Sequence, residues 1–487
     1  MDLRHTPALP RRLTRARAGA VLAPALAIAI AVALSACSRS GSSKSPSPSP
    51  VAASDAGAGA SARVPPGDIG AGIDLTSTQP DPLLVRYLQD SAFRRAELEA
   101  ALVNPGNLYS QDRLDHYETR RAGDWAEIAE FNPRVAPIRS GELDAPGGAR
   151  IASGLPAEAA ALTITPEMRA GIPAALVELG RQAFFRYPAQ LVWHFEPGLR
   201  SRATAAQYGF WVDPERDEVG GVIRTRSTEG TDALAYTCAT CHAWPVDGKL
   251  VIGLGNPRLD LGALTGQWMS ENGQQPTLEL AAWGPGRADV STPEGRDPIR
   301  LPDLRSVRYL YHLHHNGTLS QFSVITLAIR LETLLVTGFG KGLRPPREAA
   351  LGLALYLLTL HTEPGPTTEA STRGAKLFTA RCANCHRPPA GAGPAVSLDS
   401  VGTDAHIGHS AWRGTGKWRV PTLLGVALRQ TLLHDGSLTS VEALMDPART
   451  QPGYTGGVRP GPVPGHRFGL DLGPGERGDL VAYLRSL

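Results

Sequence analysis

The sequence predicts a mainly α-helical chain: two tandem helical domains with long loops, preceded by an N-terminal helical extension. Three observations carry this. Apolar residues recur at helical spacing over 173–185, 323–336, 346–360, 370–381, 438–446 and 474–487. Alternating strand patterns are scarce, and 53 Gly and 41 Pro residues punctuate the intervening segments as loops. The third observation is an internal duplication. Gly180-Arg-Gln-Ala-Phe184 and Gly374-Ala-Lys-Leu-Phe378 open its halves, and Ala354-Leu-Tyr-Leu-Leu-Thr-Leu360 and Val481-Ala-Tyr-Leu-Arg-Ser-Leu487 close them.

From the N-terminus, Arg4, Arg11, Arg12, Arg15 and Arg17 precede an Ala-rich apolar run from Ala18 to Leu34, and Leu34-Ser35-Ala36-Cys37 follows. A charged region, a short apolar region and a small-residue cleavage site predict a secretory signal over 1–36. The Leu-Ser-Ala-Cys end resembles a bacterial lipobox, with Cys37 as the lipidated first residue of the mature chain. Ser38 after it, rather than Asp, points to the outer membrane on the periplasmic side. An uncleaved anchor is the alternative, but the run is short for a spanning helix. The basic pI of about 8.6 belongs largely to this segment and gives no case for nucleic-acid binding.

Residues 37–63 are Ser, Pro, Gly and Ala with little else and predict a flexible tether. The extension spans 64–170. In it Asp81, Pro82 and the Asn104-Pro105 stop predict a helix over 81–104. The first domain is 171–360, residues 361–370 are a linker rich in Pro and Thr, and the second domain is 371–487. Between Phe184 and Cys238 the first half carries about 50 residues that the second lacks, and such insertions shape pockets.

Four of the five cysteines lie in Cys238-Ala-Thr-Cys241-His242 and Cys382-Ala-Asn-Cys385-His386. Two thiols one helical turn apart can add to the two vinyl groups of one porphyrin, and the adjacent His then faces the iron. The chain therefore predicts two covalently bound haem c groups on tandem cytochrome c-like domains. Structural zinc would use similar Cys pairs, but the His after each pair, the export signal and the duplication disfavour it. A thiol–disulfide oxidoreductase lacks its βαβ surroundings.

After each motif the halves still match. Arg300-Leu-Pro302 and Arg419-Val-Pro421 are each followed, fifteen residues after the Arg, by His315-Asn-Gly317 and His434-Asp-Gly436, and fifteen further on by Arg330 and Arg449. With the two haem motifs, this tandem block resembles the bacterial di-haem cytochrome c peroxidase superfamily over about 173–487. That superfamily includes a cofactor-maturing di-haem oxidase and O2-dependent rubber oxygenases. The resemblance implies peroxidase-like reduction of hydrogen peroxide at the N-terminal haem, with electrons entering at the C-terminal haem from a small redox protein, a cytochrome c or a cupredoxin. It implies His242 and His386 as proximal ligands. The sequence departs from the pattern elsewhere. His315 stands where peroxidases carry an inter-haem Trp, and Ile325 and Leu335 stand where they carry a distal Gln and Glu. Arg300 takes the place of the Asn of a bridging calcium site, so calcium finds no support.

The remaining candidates keep their alternatives. The sixth ligand of the second haem is His466, in the Gly-flanked loop Pro464-Gly-His-Arg-Phe-Gly469, or Met445, which otherwise fills core. Near the first haem stand Met269 and the trio His312, His314 and His315. That iron is either open for chemistry, with His315 as a participant, or bis-His. Glu332 interrupts an apolar stripe and is either a proton-shuttling carboxyl or a partner of Arg330 or Arg347. Phe322 is an apolar distal residue or core. Arg300 and Arg419 pair with haem propionates or are loop arginines. Trp412 and Trp418 bridge the haems or simply pack. A purely electron-transferring cytochrome is the non-enzymatic alternative.

Overall fold

Two helix crossings, one in each half, organise the chain. In the computed structural model, which describes residues 65, 67–117, 129–213, 215–288, 297–340 and 342–487, Pro173–Arg186 packs across Arg347–Thr359, and Glu369–Arg381 across Pro474–Ser486. Glycine permits each crossing. A Cβ on Gly180 would stand 1.9 Å from the Gly352 carbonyl oxygen, and one on Gly374 would stand 2.0 Å from that of Asp479. Four residues on, Phe184 and Phe378 are both buried, which contributes about 2–3 kcal/mol apiece. The repeat read from the sequence is thus a repeat of packing geometry. The segments expected as a signal over 1–36 and a tether over 37–63, with Cys37, fall outside the described residues.

The helices form close to where capping chemistry places them. Thr368 accepts from the Ser371 amide at 3.1 Å and starts Glu369–Arg381. Ser323 caps Val324–Gly338 by accepting from the Ile325 amide at 3.2 Å. The segment expected as one helix over 81–104 is two, Pro82–Gln89 and Ser91–Ala101. Asp90 divides them, because its carboxylate accepts from the Phe93 amide at 2.8 Å and so caps a new start. The helix expected over 438–446 shortens to Val441–Met445.

Strands are more substantial than the sequence suggested. A five-stranded antiparallel sheet runs in the order Ala136–Arg139, Glu218–Arg226, Asp232–Tyr236, Gln190–Leu191, with Val212–Asp213 also paired to Glu218–Arg226. One strand comes from the extension and the rest from the insertion. Its long strand is buried on both faces along most of its length, which removes the polar–apolar alternation by which a half-exposed strand is recognised. The hairpin Glu218–Arg226/Asp232–Tyr236 ends two residues before Cys238 and delivers the first haem motif.

The extension shares one apolar core with the first half, in which Leu84, Tyr87, Leu98 and Tyr109 pack with Leu176, Phe184, Leu327 and Leu355. It also grips the second half: the Leu108 and Tyr109 amides donate to the Ala411 and Trp412 carbonyls at 3.1 and 2.8 Å. No helix among the described residues is long and apolar enough to cross a membrane.

Candidate haem sites

In the second half the helix Glu369–Arg381 runs into Cys382, and the His386 amide donates to the Cys382 carbonyl at 2.9 Å. This last turn stacks Cys382, Cys385 and His386 on one side. The His386 Nδ1–H donates to the Gly391 carbonyl at 2.7 Å. A carbonyl can only accept, so the tautomer is fixed and Nε2 keeps its lone pair for a metal. Burial holds this imidazole below its ordinary pKa.

Opposite it stands His466, whose ring centroid lies 6.3 Å from that of His386 at an interplanar angle of 67°. Two metal–imidazole bonds of about 2 Å, each extended by roughly 1.1 Å from ring nitrogen to ring centre, would put coaxial imidazoles about 6 Å apart. Both ring planes would contain the axis and be free to rotate about it, so 67° is compatible. The loop is held from behind by the fully buried Arg449, which donates to the carbonyls of Leu444 at 2.9 Å, Val463 at 2.6 Å, Gly465 at 2.9 Å and His466 at 2.7 Å. The His466 amide donates to Val401 O at 2.6 Å, and its φ of 42° is a left-handed conformation that these bonds enforce. Burial, with His386 beside it, pushes the His466 imidazole down to about 4. Met445 instead packs in the core with Phe378, Leu480 and Leu484.

In the first half Cys238–His242 is one isolated helical turn. The His242 Nδ1–H donates to the Pro302 carbonyl at 2.9 Å, again leaving Nε2 free. Burial pushes His242 down to about 4 and both thiols, Cys238 and Cys241, up to about 12. None of the four motif cysteines is in a disulfide. Among the described residues no group of three His, Cys, Asp or Glu side chains is placed to hold a metal ion. The residues fit haem c: paired thiols on one turn and an adjacent imidazole of fixed tautomer.

Residues 371–487 match the cytochrome c family. This part of the chain is a cytochrome c domain. No curated protein matches the chain. The match implies covalently bound haem c and haem-based electron transfer, and it covers Cys382, Cys385, His386, Met445 and His466.

Between this cytochrome c domain and the first half lie the two propionate candidates. Arg300 is buried, and its Nε–H donates to the Leu433 carbonyl at 2.9 Å. Burial, then Arg429 and Arg419, pushes it down to about 9. Burial and Arg429 likewise push Arg419 down to about 10. Among the described residues the half-buried Arg419 side chain forms no hydrogen bond or ion pair, so a carboxylate in reach would relieve a partly desolvated cation. His315 sits between the two arginines: its Nε2–H donates to the Arg300 carbonyl at 3.2 Å, and its own carbonyl accepts from the Arg419 amide at 2.9 Å. That imidazole is a bracket, with Nε2 already committed. Trp418 stacks on His434 with centroids 4.3 Å apart. Trp412 offers its carbonyl to the extension instead.

The structure gives Glu332 its ion-pair role. The carboxylate is buried 3.5 Å from Arg347 and accepts from the hydroxyls of Tyr87 at 2.9 Å and Tyr117 at 2.8 Å. Its partners come from the extension and from the crossing helix, and none belongs to a haem motif. Arg330, the other candidate partner, donates to His314 Nε2. Ile325, Leu335 and the half-buried Phe322 belong to the large apolar core. Met269 lies half-buried on the helix Leu261–Glu271.

Sequence reasoning missed the loop-holding role of Arg449 and the tyrosine pair around Glu332. A signal existed for the first, since Arg449 follows the His434 block as Arg330 follows His315. For the tyrosines none existed, because their partner is over 200 residues away.

Proposed function

We propose that the chain is an exported, lipid-anchored di-haem c-type cytochrome, with haems on Cys238, Cys241 and His242 and on Cys382, Cys385 and His386 in two cytochrome c-like domains. Bound haem supplies reversible one-electron chemistry at iron. The observation that carries this reading is repetition: each motif follows a glycine-contact helix crossing, and each proximal imidazole donates its Nδ1–H to a backbone carbonyl. His386 and His466 would hold the haem of the cytochrome c domain, where a second imidazole would give a lower potential than a thioether. Arg300 and Arg419 offset propionate charge. A small redox protein is the electron donor.

A peroxidase-like reduction of hydrogen peroxide at the first haem is the second reading. It is favoured by asymmetry, since among the described residues no imidazole is seen opposite His242 as His466 is opposite His386. Glu332 and His315, engaged with tyrosines and with backbone, take no part in it.

A pyridine haemochrome assay tests the first reading. Two haems per chain are expected, with one lost on replacing Cys238 and Cys241 by Ala and the other on replacing Cys382 and Cys385; a single haem in the wild type would overturn it. For the second reading, hydrogen peroxide should drive oxidation of a reduced cytochrome. If neither peroxide nor O2 reacts with the reduced protein, the function is electron transfer alone.

A further inference from the structure

A second buried cationic cluster lies where the extension meets both halves, and the function proposed above does not use it. Tyr109 and Arg113 come from the extension helix Leu108–His116, His314 from the block after the first haem motif, Arg330 from Val324–Gly338, and Arg413 from the cytochrome c domain. The Tyr109 ring is fully buried between two guanidinium groups, with the Arg113 carbon 3.8 Å and the Arg413 carbon 4.7 Å from its centroid. His314 meets the ring edge-on at 5.3 Å.

Arg330 Nε–H donates to His314 Nε2, which places the imidazole proton on Nδ1. Three donors then end without an acceptor among the described residues: the Tyr109 hydroxyl, the His314 Nδ1–H and Arg330 Nη1. Arg113 lies over the ring face and can only donate to the hydroxyl oxygen, so the hydroxyl proton still lacks an acceptor. Among the described residues Arg330 forms no ion pair, whereas Arg113 is paired with Asp112 at 2.9 Å. A buried donor left unsatisfied costs about 1–3 kcal/mol, so three together in a cationic setting call for an acceptor with several oxygens. Burial alone would raise the Tyr109 phenol, but Arg113, Arg330 and Arg413 outweigh it and draw it below the ordinary tyrosine value.

We propose that Tyr109, His314 and Arg330, with Arg113 and Arg413 behind the ring, form a buried oxyanion site that takes a carboxylate or phosphate-like group and ties the extension to both halves. The anion is either a propionate of a neighbouring haem or a free oxyanion.

The test uses the holo-protein, dialysed free of phosphate, with Tyr109→Phe and Arg330→Gln. Tyr109→Phe keeps the ring and its cation contacts and removes only the hydroxyl, so it remains informative if Arg330→Gln fails to fold. If the anion is a propionate, Tyr109→Phe shifts the midpoint potential of one haem, and the wild-type melting temperature does not respond to inorganic phosphate. If it is a free oxyanion, phosphate raises the wild-type melting temperature, the rise is lost in Tyr109→Phe, and both potentials stay put. Wild-type potentials in Tyr109→Phe together with a melting temperature indifferent to phosphate would overturn the site.

Discussion

Arg449 directs its three nitrogens at four backbone carbonyls around the His466 loop, so the position of one imidazole depends on a side chain 17 residues away in sequence. Arg449→Gln should cost roughly 2–4 kcal/mol in denaturant unfolding, because charge-assisted bonds to buried carbonyls are lost together; a cost under about 0.5 kcal/mol would mean that the loop holds itself. Glu332 carries the opposite expectation. Glu332→Gln should leave any peroxide turnover unchanged in steady-state assays while lowering the melting temperature. A selective loss of turnover in a folded variant would return Glu332 to the chemistry. At this scale Cys382, Cys385 and His386 of the cytochrome c domain were legible because their spacing is the chemistry. The glycines around His466 marked a loop able to reach a haem face. The tyrosine partners of Glu332 were illegible, since nothing local in Tyr87 or Tyr117 names a carboxylate on a distant helix.

The two helix crossings are the most legible elements. Their Gly and Phe positions repeat in sequence because the geometry repeats in space, with a glycine wherever one backbone meets another. Ala at Gly374 would push a Cβ against Asp479 O, and Ala at Gly180 would do the same against Gly352 O. Each substitution should destabilise by about 3 kcal/mol, near the upper range for overpacking, and calorimetry should show it. A loss below about 1 kcal/mol would mean that the helices separate at little cost. The sheet was hidden for a physical reason. Gly220, Gly221 and a strand buried on both faces leave no period of two to read, and the partner strand Ala136–Arg139 comes from the extension. The break at Asp90 was available in sequence, as an N-cap residue inside an otherwise continuous apolar pattern.

Across the whole molecule, the halves are tied by a buried charge network. Asp303, next to the carbonyl that orients His242, binds Arg305 at 2.6 Å and Arg429 of the cytochrome c domain at 3.1 Å. Burial would raise the Asp303 carboxyl, yet Arg429 and Arg305 overcome it and hold the group below its usual value. A carboxylate depressed on folding stabilises above its unfolded pKa of about 3.9 and loses that contribution as pH falls toward the folded value. Acid unfolding followed below about pH 4 should therefore be less steep in Asp303→Asn, which is already weakened at neutral pH; an unchanged acid profile would remove Asp303 from the balance. The extension, which showed no motif in sequence, completes the first-half core and contacts both halves. Its role was not legible because every contact that defines it is long-range.

On the proposed reading two haem sites of unequal ligation share this chain, and both His386 and His466 would bind the second haem. Electron paramagnetic resonance of the ferric holo-protein beside its His466→Ala variant tests this most directly. The wild type should show a low-spin bis-imidazole signal that His466→Ala converts to high-spin iron, with haem content unchanged. The same low-spin signal in a folded, fully loaded His466→Ala protein would contradict it.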